Sequence, residues 1–358
     1  MALPADDRST IFAGVERNLE AQKGADAGRQ RAKELAKHLG GALDTATVLR
    51  EVLSSMRDVF CRSLVRNSGQ PQFVFLTGDL GFKALEPLRE AAGSRFINAG
   101  VAEQNMISVA AGLAKTGLRP WAYSIAPFIY ARPFEQIRND LCLPDLPVVL
   151  VGNGGGYGYG VMGSTHHALE DYGSLLTLPN LRAFVPAFDA DVSSMIDALM
   201  DFPHPAYLRL GLSELPANFV LPTYSAWRRL LPGSGPTILV TGPLAGGLVA
   251  ASLQLTQSRR SSLWLVSELP IDNVPEEFIS DLNRSGHLIV VEEHVAQGGL
   301  GQMIAHYLLS HGIAVPRFTH HRAKGYVSGL YGSQKFHRKE CGLDAESVIA
   351  GISTGRLS

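Results

Sequence analysis

The chain has 358 residues, 46% of them apolar and 18% charged, and a formal net charge of −1. That length supports two or three domains with cores of their own, and a balance so near neutral offers no electrostatic case for nucleic acid or an anionic membrane surface. Three scattered cysteines, Cys61, Cys142 and Cys341, exclude a disulfide framework or a cysteine-based metal site and fit a reducing cytoplasm. No apolar run approaches the ~18 residues of a membrane span, and "MALPADDRSTIF" lacks the charged-then-apolar layout of a signal peptide.

Residues 1–43 are polar and helix-prone. Within them "VERNLEAQKGADAGRQRAKELAKHL" mixes both charges with few large apolar groups, so a helical N-terminal arm is expected there. From 44 to 215 the pattern alternates. "ATVLREVLSSMRDVFCRSLV" reads as an amphipathic helix, "QFVFLTGD" as a buried strand and "SRFINA" as another, followed by a helix that opens at Glu103. Then come "LRPWAYSI", a helix near 131–141 and "LPVVLVGN". Near-continuous apolar strands alternating with helices predict a parallel sheet covered on both faces. A Pro- and Ser-containing linker is expected over 216–235. Strands at "TILVTG", "SSLWLVSE" and "HLIVVEE", with helices between them, predict a second, smaller α/β domain over 236–358.

The stretch "NAGVAEQNM" sets one acid, Glu103, between small apolar residues and amides at the start of a helix. Most acids in a first helical turn serve the macrodipole or a capping box. Here the residue three before Glu103 is Gly100, so no capping box is possible. Met106, Val109, Ala110 and Leu113 mark one stripe of the helix, and Ile107, Ala111 and Ala114 fill much of the rest. A helix apolar nearly all round is expected to be buried. Its first-turn acid would be buried with it, and burial penalises the charged form unless a partner receives it. Such an acid is a candidate site residue.

Five stretches carry a resemblance: "TGDLG", "RFINAGVAEQNMISVAAGLAKTGLRPW", "SIAPFIYARPFEQIRND", "GSTHHALED" and "VVEEHVAQGGLGQMIA". In order and spacing they resemble the C-terminal half of the transketolase family, in the arrangement where the enzyme is divided between two chains. The likeness covers residues 45–355. It implies a parallel-sheet domain that binds the pyrimidine end of thiamine diphosphate, followed by a transketolase C-terminal domain. The acid matching Glu103 hydrogen-bonds N1′ of the cofactor's aminopyrimidine, and a carboxyl sharing a proton there is what activation of that cofactor requires. The resemblance further implies that Phe128 stacks on the aminopyrimidine. Ile125 stands where a second aromatic is common. Tyr130 is near enough to take its part, although core packing explains Tyr130 and Phe134 equally well. Asp79, at the carboxyl end of its strand, is implied to help hold the cofactor; a simple strand-end turn is the other reading.

The tandem histidines at 166 and 167 follow the Gly-rich run "GNGGGYGYGVMG". Neighbours in an extended loop point apart, so they do not form a metal site. The match to the family's D-G-P-T-H-Q segment assigns His166 to the substrate's oxygens, with Met162 and Arg132 also facing the substrate. Met162 replaces an acid that reads a sugar hydroxyl, and a thioether cannot stand in for a carboxylate at that bond. The family's diphosphate- and Mg²⁺-binding motif, G-D-G followed by Asn, is missing: "GDL" at 78–80 with Asn105 downstream has the wrong third residue and already belongs to the pyrimidine half. Some 43 residues before the first domain are too few for a domain of about 100–150. A partner subunit carrying that motif is therefore expected, as an α2β2 heterotetramer. The function implied is transfer of a two-carbon ketol unit from a ketose phosphate to an aldehyde. The alternatives are the β-type subunit of a 2-oxo acid dehydrogenase or decarboxylase, and a non-catalytic regulatory paralogue. "FEQIRND" followed by "GSTHHALED" favours the transketolase side.

Overall fold

A computed structural model describes residues 56–80 and 84–354, with side chains through residue 352. The arm expected over 1–43 lies outside the described residues, as does the first part of the helix expected from 46. Helix α1 (Met56–Asn67) leads into strand β1 (Phe73–Thr77), α2 (Glu86–Ala92), β2 (Phe96–Asn98), α3 (Glu103–Lys115) and β3 (Arg119–Ile125). The chain continues through α4 (Ala126–Tyr130), α5 (Phe134–Gln136) with a wider π turn over Ile137–Cys142, then β4 (Val149–Asn153), α6 (Asp171–Leu175), β5 (Arg182–Phe184), α7 (Asp189–Leu199) and β6 (Ala206–Leu210). The remainder comprises β7 (Trp227–Leu231), β8 (Gly235–Val240), α8 (Leu244–Leu253), β9 (Ser261–Val266), β10 (Glu268–Leu269), α9 (Glu276–Ser285), β11 (His287–Val291), α10 (Leu300–Ser310), β12 (Arg317–His321), α11 (Gln334–Cys341) and α12 (Ala345–Thr354).

Among the described residues, seven strands form one sheet in the order β10-β5-β6-β4-β3-β1-β2 and five form a second in the order β12-β11-β8-β9-β7. The first sheet is parallel except at β10, and the second except at β7. The sequence dictates this: every residue of β1, β6, β9 and β11 is buried, as strands covered on both faces must be. The α/β class and the two successive sheets are as the sequence predicts.

Three features depart from the sequence reading. The stretch 216–235, where the sequence predicts a linker, holds β7, which joins the second sheet by pairing antiparallel with β9. Strand β10 belongs by sequence to the second half but extends the first sheet, with Glu268 opposite Phe184 and Leu269 opposite Ala183. Helix α3 is not buried all round. Its core face is Met106, Ile107, Ala110, Ala111 and Ala114, whereas Val109 is 38% exposed. The cause is geometric, since 3.6 residues per turn bring 106, 107, 110, 111 and 114 to one side and carry 109 away from it. Glu103 nonetheless stays on the buried side.

Two buried arginines fasten the two sheets together. Arg209 of β6 donates to Asp171 Oδ2 at 2.7 Å and to the carbonyl oxygens of Ala168 at 2.9 Å and Glu293 at 3.0 Å. Arg228 of β7 donates to Asp191 Oδ2 at 2.8 Å, the same oxygen that accepts from the backbone of Ala187 and Phe188 ahead of α7. One apolar core runs across both sheets, bringing Leu150 and Tyr172 into the same cluster as Trp264 and Val266.

Candidate active site

The carboxyl ends of β1, β2, β3 and β4 lie side by side, and the segments leaving them supply most of the expected site residues. After β2 the chain turns tightly at Gly100, whose φ of +69° is a left-handed conformation suited to glycine. Asn98 Oδ1 accepts from Gly100 N at 2.9 Å and Asn98 Nδ2 donates to Asp79 Oδ1 at 3.2 Å. Asp79 is exposed and braces this turn through Asn98 from just beyond the end of β1. The turn delivers Glu103 as the first residue of α3. The preceding residue, Ala102, has no side-chain cap to offer, so Glu103 is not half of a capping box.

Glu103 is 6% exposed and has a partner: Arg132 Nη1 donates to its Oε1 at 2.7 Å. The guanidinium carbon of Arg132 also lies 3.7 Å from the centroid of the Phe128 ring. One planar cation is thus stacked on the aromatic and hydrogen-bonded to the buried acid. This geometry suits any flat group with an N–H at its edge, because the ring face attracts positive charge and the carboxylate accepts. Phe128 sits in α4, which opens directly from the end of β3. Arg132 follows in the turn before α5, its carbonyl accepting from Gln104 Nε2 at 3.3 Å.

His166 completes the group. Its ring meets Phe128 edge-on at 5.2 Å and Tyr159 at 5.9 Å, and its Nδ1 is 2.9 Å from Thr165 Oγ1. The loop is not extended here, since His166 N donates to the Gly163 carbonyl at 2.9 Å in a turn, but its neighbour His167 has separate partners. His167 is buried, with Nε2 2.8 Å from the Gly160 carbonyl and Nδ1 2.9 Å from Tyr326 Oη. Burial holds it below the usual histidine range. Met162 lies in the short 3₁₀ turn before these histidines and is 55% exposed.

Glu103, Arg132, Phe128 and His166 are therefore joined in one contiguous group. Ile125 ends β3 half-buried, and Tyr130 points into the core, donating its hydroxyl to Glu170 Oε2 at 3.2 Å. Burial raises the Tyr130 phenol well above its ordinary range. Sequence reasoning missed Tyr159, which flanks His166 and accepts from Asn153 Nδ2 at 2.9 Å. The repeated aromatic in "GYGYG" was its only signal.

Residues 64–217 match the family model described as the transketolase pyrimidine binding domain. An apulose-4-phosphate transketolase subunit of Actinobacillus succinogenes is 28% identical, over 74% of this chain and 86% of its own. The putative transketolase C-terminal section of Methanocaldococcus jannaschii is 31% identical, over 72% of this chain and 82% of its own. Among solved structures, one described as a split gene transketolase, inactive beta4 tetramer, superposes with a TM-score of 0.71 at 28% identity, covering 84% of this chain and 97% of that one. With the matched domain containing the acid, the ring and the histidine just described, the chain belongs to the transketolase family, as the C-terminal half of a split transketolase.

Proposed function

We propose that this chain is the C-terminal subunit of a thiamine diphosphate-dependent transketolase, acting with a separate diphosphate-binding subunit on a ketose phosphate and an aldehyde. The observation that carries the reading is the slot between Glu103 Oε1 and the Phe128 ring, which already accepts a flat, N–H-bearing cation. An aminopyrimidine has the same requirements: a face to stack on and an acid at one edge. The residues fit the group. Bound there, thiamine diphosphate supplies the carbon nucleophile that detaches a two-carbon unit from a ketose and delivers it to an aldehyde.

The chain's own residues have separable tasks. Glu103 holds a proton at N1′ of the ring in a site where burial against α3 excludes water. Phe128 fixes the plane of the ring. His166, edge-on to Phe128, is within reach of substrate oxygens on the same side and donates to them. Asp79 acts through the Asn98 and Gly100 turn, keeping Glu103 in register. The diphosphate and Mg²⁺ fall to the partner, because this chain lacks the G-D-G motif. The solved relative described as an inactive tetramer of β chains supports the need for that partner, and three buried, free cysteines suit a reducing compartment.

The decisive experiment mixes the purified chain with a G-D-G-bearing subunit, thiamine diphosphate and Mg²⁺, and follows ketol transfer from a ketose phosphate to a panel of aldehydes. Transfer by the mixture and by neither subunit alone is expected. Decarboxylation of a 2-oxo acid, with no ketol transfer, would replace this reading with the dehydrogenase-type one.

A further inference from the structure

Arg132 does more than neutralise a buried acid. Its guanidinium occupies both recognition elements of the slot, the Phe128 face at 3.7 Å and Glu103 Oε1 at 2.7 Å. A second flat group cannot use that face and that oxygen at the same time, so any ring entering the slot exchanges with the arginine. The exchange has a route. Arg132 lies in the turn between α4 and α5 and its side chain is 44% exposed, whereas Glu103 is 6% exposed. The acid is the buried partner and the cation the exposed one.

We propose that Arg132 is an internal placeholder for the aminopyrimidine, filling the Phe128–Glu103 slot with its own guanidinium until the ring displaces it. This rests on the aminopyrimidine reading of the slot. The likeness is chemical: guanidinium and protonated aminopyrimidine are both planar, and both direct an N–H at one carboxylate oxygen while lying on an aromatic face. The placeholder has two effects. It keeps a desolvated carboxylate paired, sparing the fold an isolated buried charge. It also opposes the cofactor, since part of the ring's binding free energy is used to expel the arginine.

The test uses the full chain and two probes in calorimetry: 4-amino-5-hydroxymethyl-2-methylpyrimidine and methylguanidinium. Arg132→Ala should bind the pyrimidine at least tenfold more tightly than the parent does. It should also take up methylguanidinium, in competition with the pyrimidine, and adding Glu103→Gln should weaken both at least tenfold, since a neutral amide oxygen keeps the acceptor but loses the charge. Arg132→Ser likewise vacates both the Phe128 face and the Glu103 oxygen and should show the same tightening for the pyrimidine, so it carries the test if Arg132→Ala loses its near-ultraviolet circular dichroism. Equal or tighter pyrimidine binding by the parent, still dependent on Glu103, overturns the placeholder while leaving the aminopyrimidine reading intact. Methylguanidinium binding without pyrimidine binding overturns both. Binding of neither probe to either variant overturns the placeholder.

Discussion

Gly173 donates its backbone N–H to Nε2 of His294 at 3.1 Å, which forces that nitrogen to be an acceptor and leaves Nδ1 to donate to the Val295 carbonyl at 2.7 Å. The imidazole is fully buried, stacked on Tyr172 with centroids 3.9 Å apart, and therefore neutral. Burial lowers its pKa from 6.5, and His167, His287, His321 and His337 are lowered by burial as well. Below 6.5 the unfolded chain binds protons that the folded chain refuses, so stability is present above that pH and lost as pH falls beneath it. Each such histidine contributes up to ~1.4 kcal/mol per pH unit. Urea midpoints should decline between pH 7.5 and 5.5, and His294→Gln should flatten the decline. An unchanged slope in the variant would remove His294 from the account.

Glu103→Gln should leave the fold intact, because the amide oxygen can still accept from Arg132. Ketol transfer by the reconstituted enzyme should fall ~10²-fold or more, since an amide cannot share a proton with the ring. Turnover within a factor of a few of the parent would remove the acid from the mechanism.

The chain by itself should show no measurable heat with thiamine diphosphate and Mg²⁺, and should gain binding on mixing with a G-D-G-bearing subunit. Tight binding by the single chain would reveal a diphosphate site of its own.

Met162 brings an exposed thioether to the turn before His166 where an acid is expected. An apolar lining discriminates weakly against substrates lacking a hydroxyl. Aldehydes without a 2-hydroxyl should therefore be used at least as well as glyceraldehyde 3-phosphate. Met162→Asp should shift preference toward hydroxylated sugars, and His166→Ala should depress every acceptor. These are read as kcat/KM for matched aldehydes; a tenfold parental preference for the 2-hydroxy aldehydes would mean that another residue reads the hydroxyl.

Arg209→Met should cost ~3–5 kcal/mol, because it strands the carboxylate of Asp171 in a buried setting. Adding Asp171→Asn should recover part of the loss. Chemical denaturation of the two single variants and the pair gives the coupling, and additive losses would show that the ion pair is not what holds β6 to α6.

The candidate site was legible in the sequence as separate local motifs. Glu103, Phe128 and His166 each follow a strand of the same sheet, within short motifs whose order survives in the fold. Their mutual arrangement was not legible. Arg132 could be assigned to the site, but its bond to Glu103 spans 29 residues, and no pattern in either segment announces it. The fold shows a similar divide. Runs such as "FVFLT" and "HLIVV" declare themselves as buried strands. Strand β6, "AYLRL", escapes because a buried arginine interrupts its apolar run, and only partners in other segments, Asp171 and the carbonyls of Ala168 and Glu293, make Arg209 tolerable there. Strand β7 hides among prolines that read as linker. Strand β10 has two residues, and its register comes from β5 alone.

That two-residue strand decides where this polypeptide can be cut. An edge strand left uncovered invites pairing with another molecule, and β10 screens Ala183 and Phe184 on β5. A deletion after residue 215 would strip that screen, leave Asp191 without Arg228, and bare the part of the core that Trp264 and Val266 cover. Such a fragment should be sticky and prone to self-association instead of forming a minimal catalytic module.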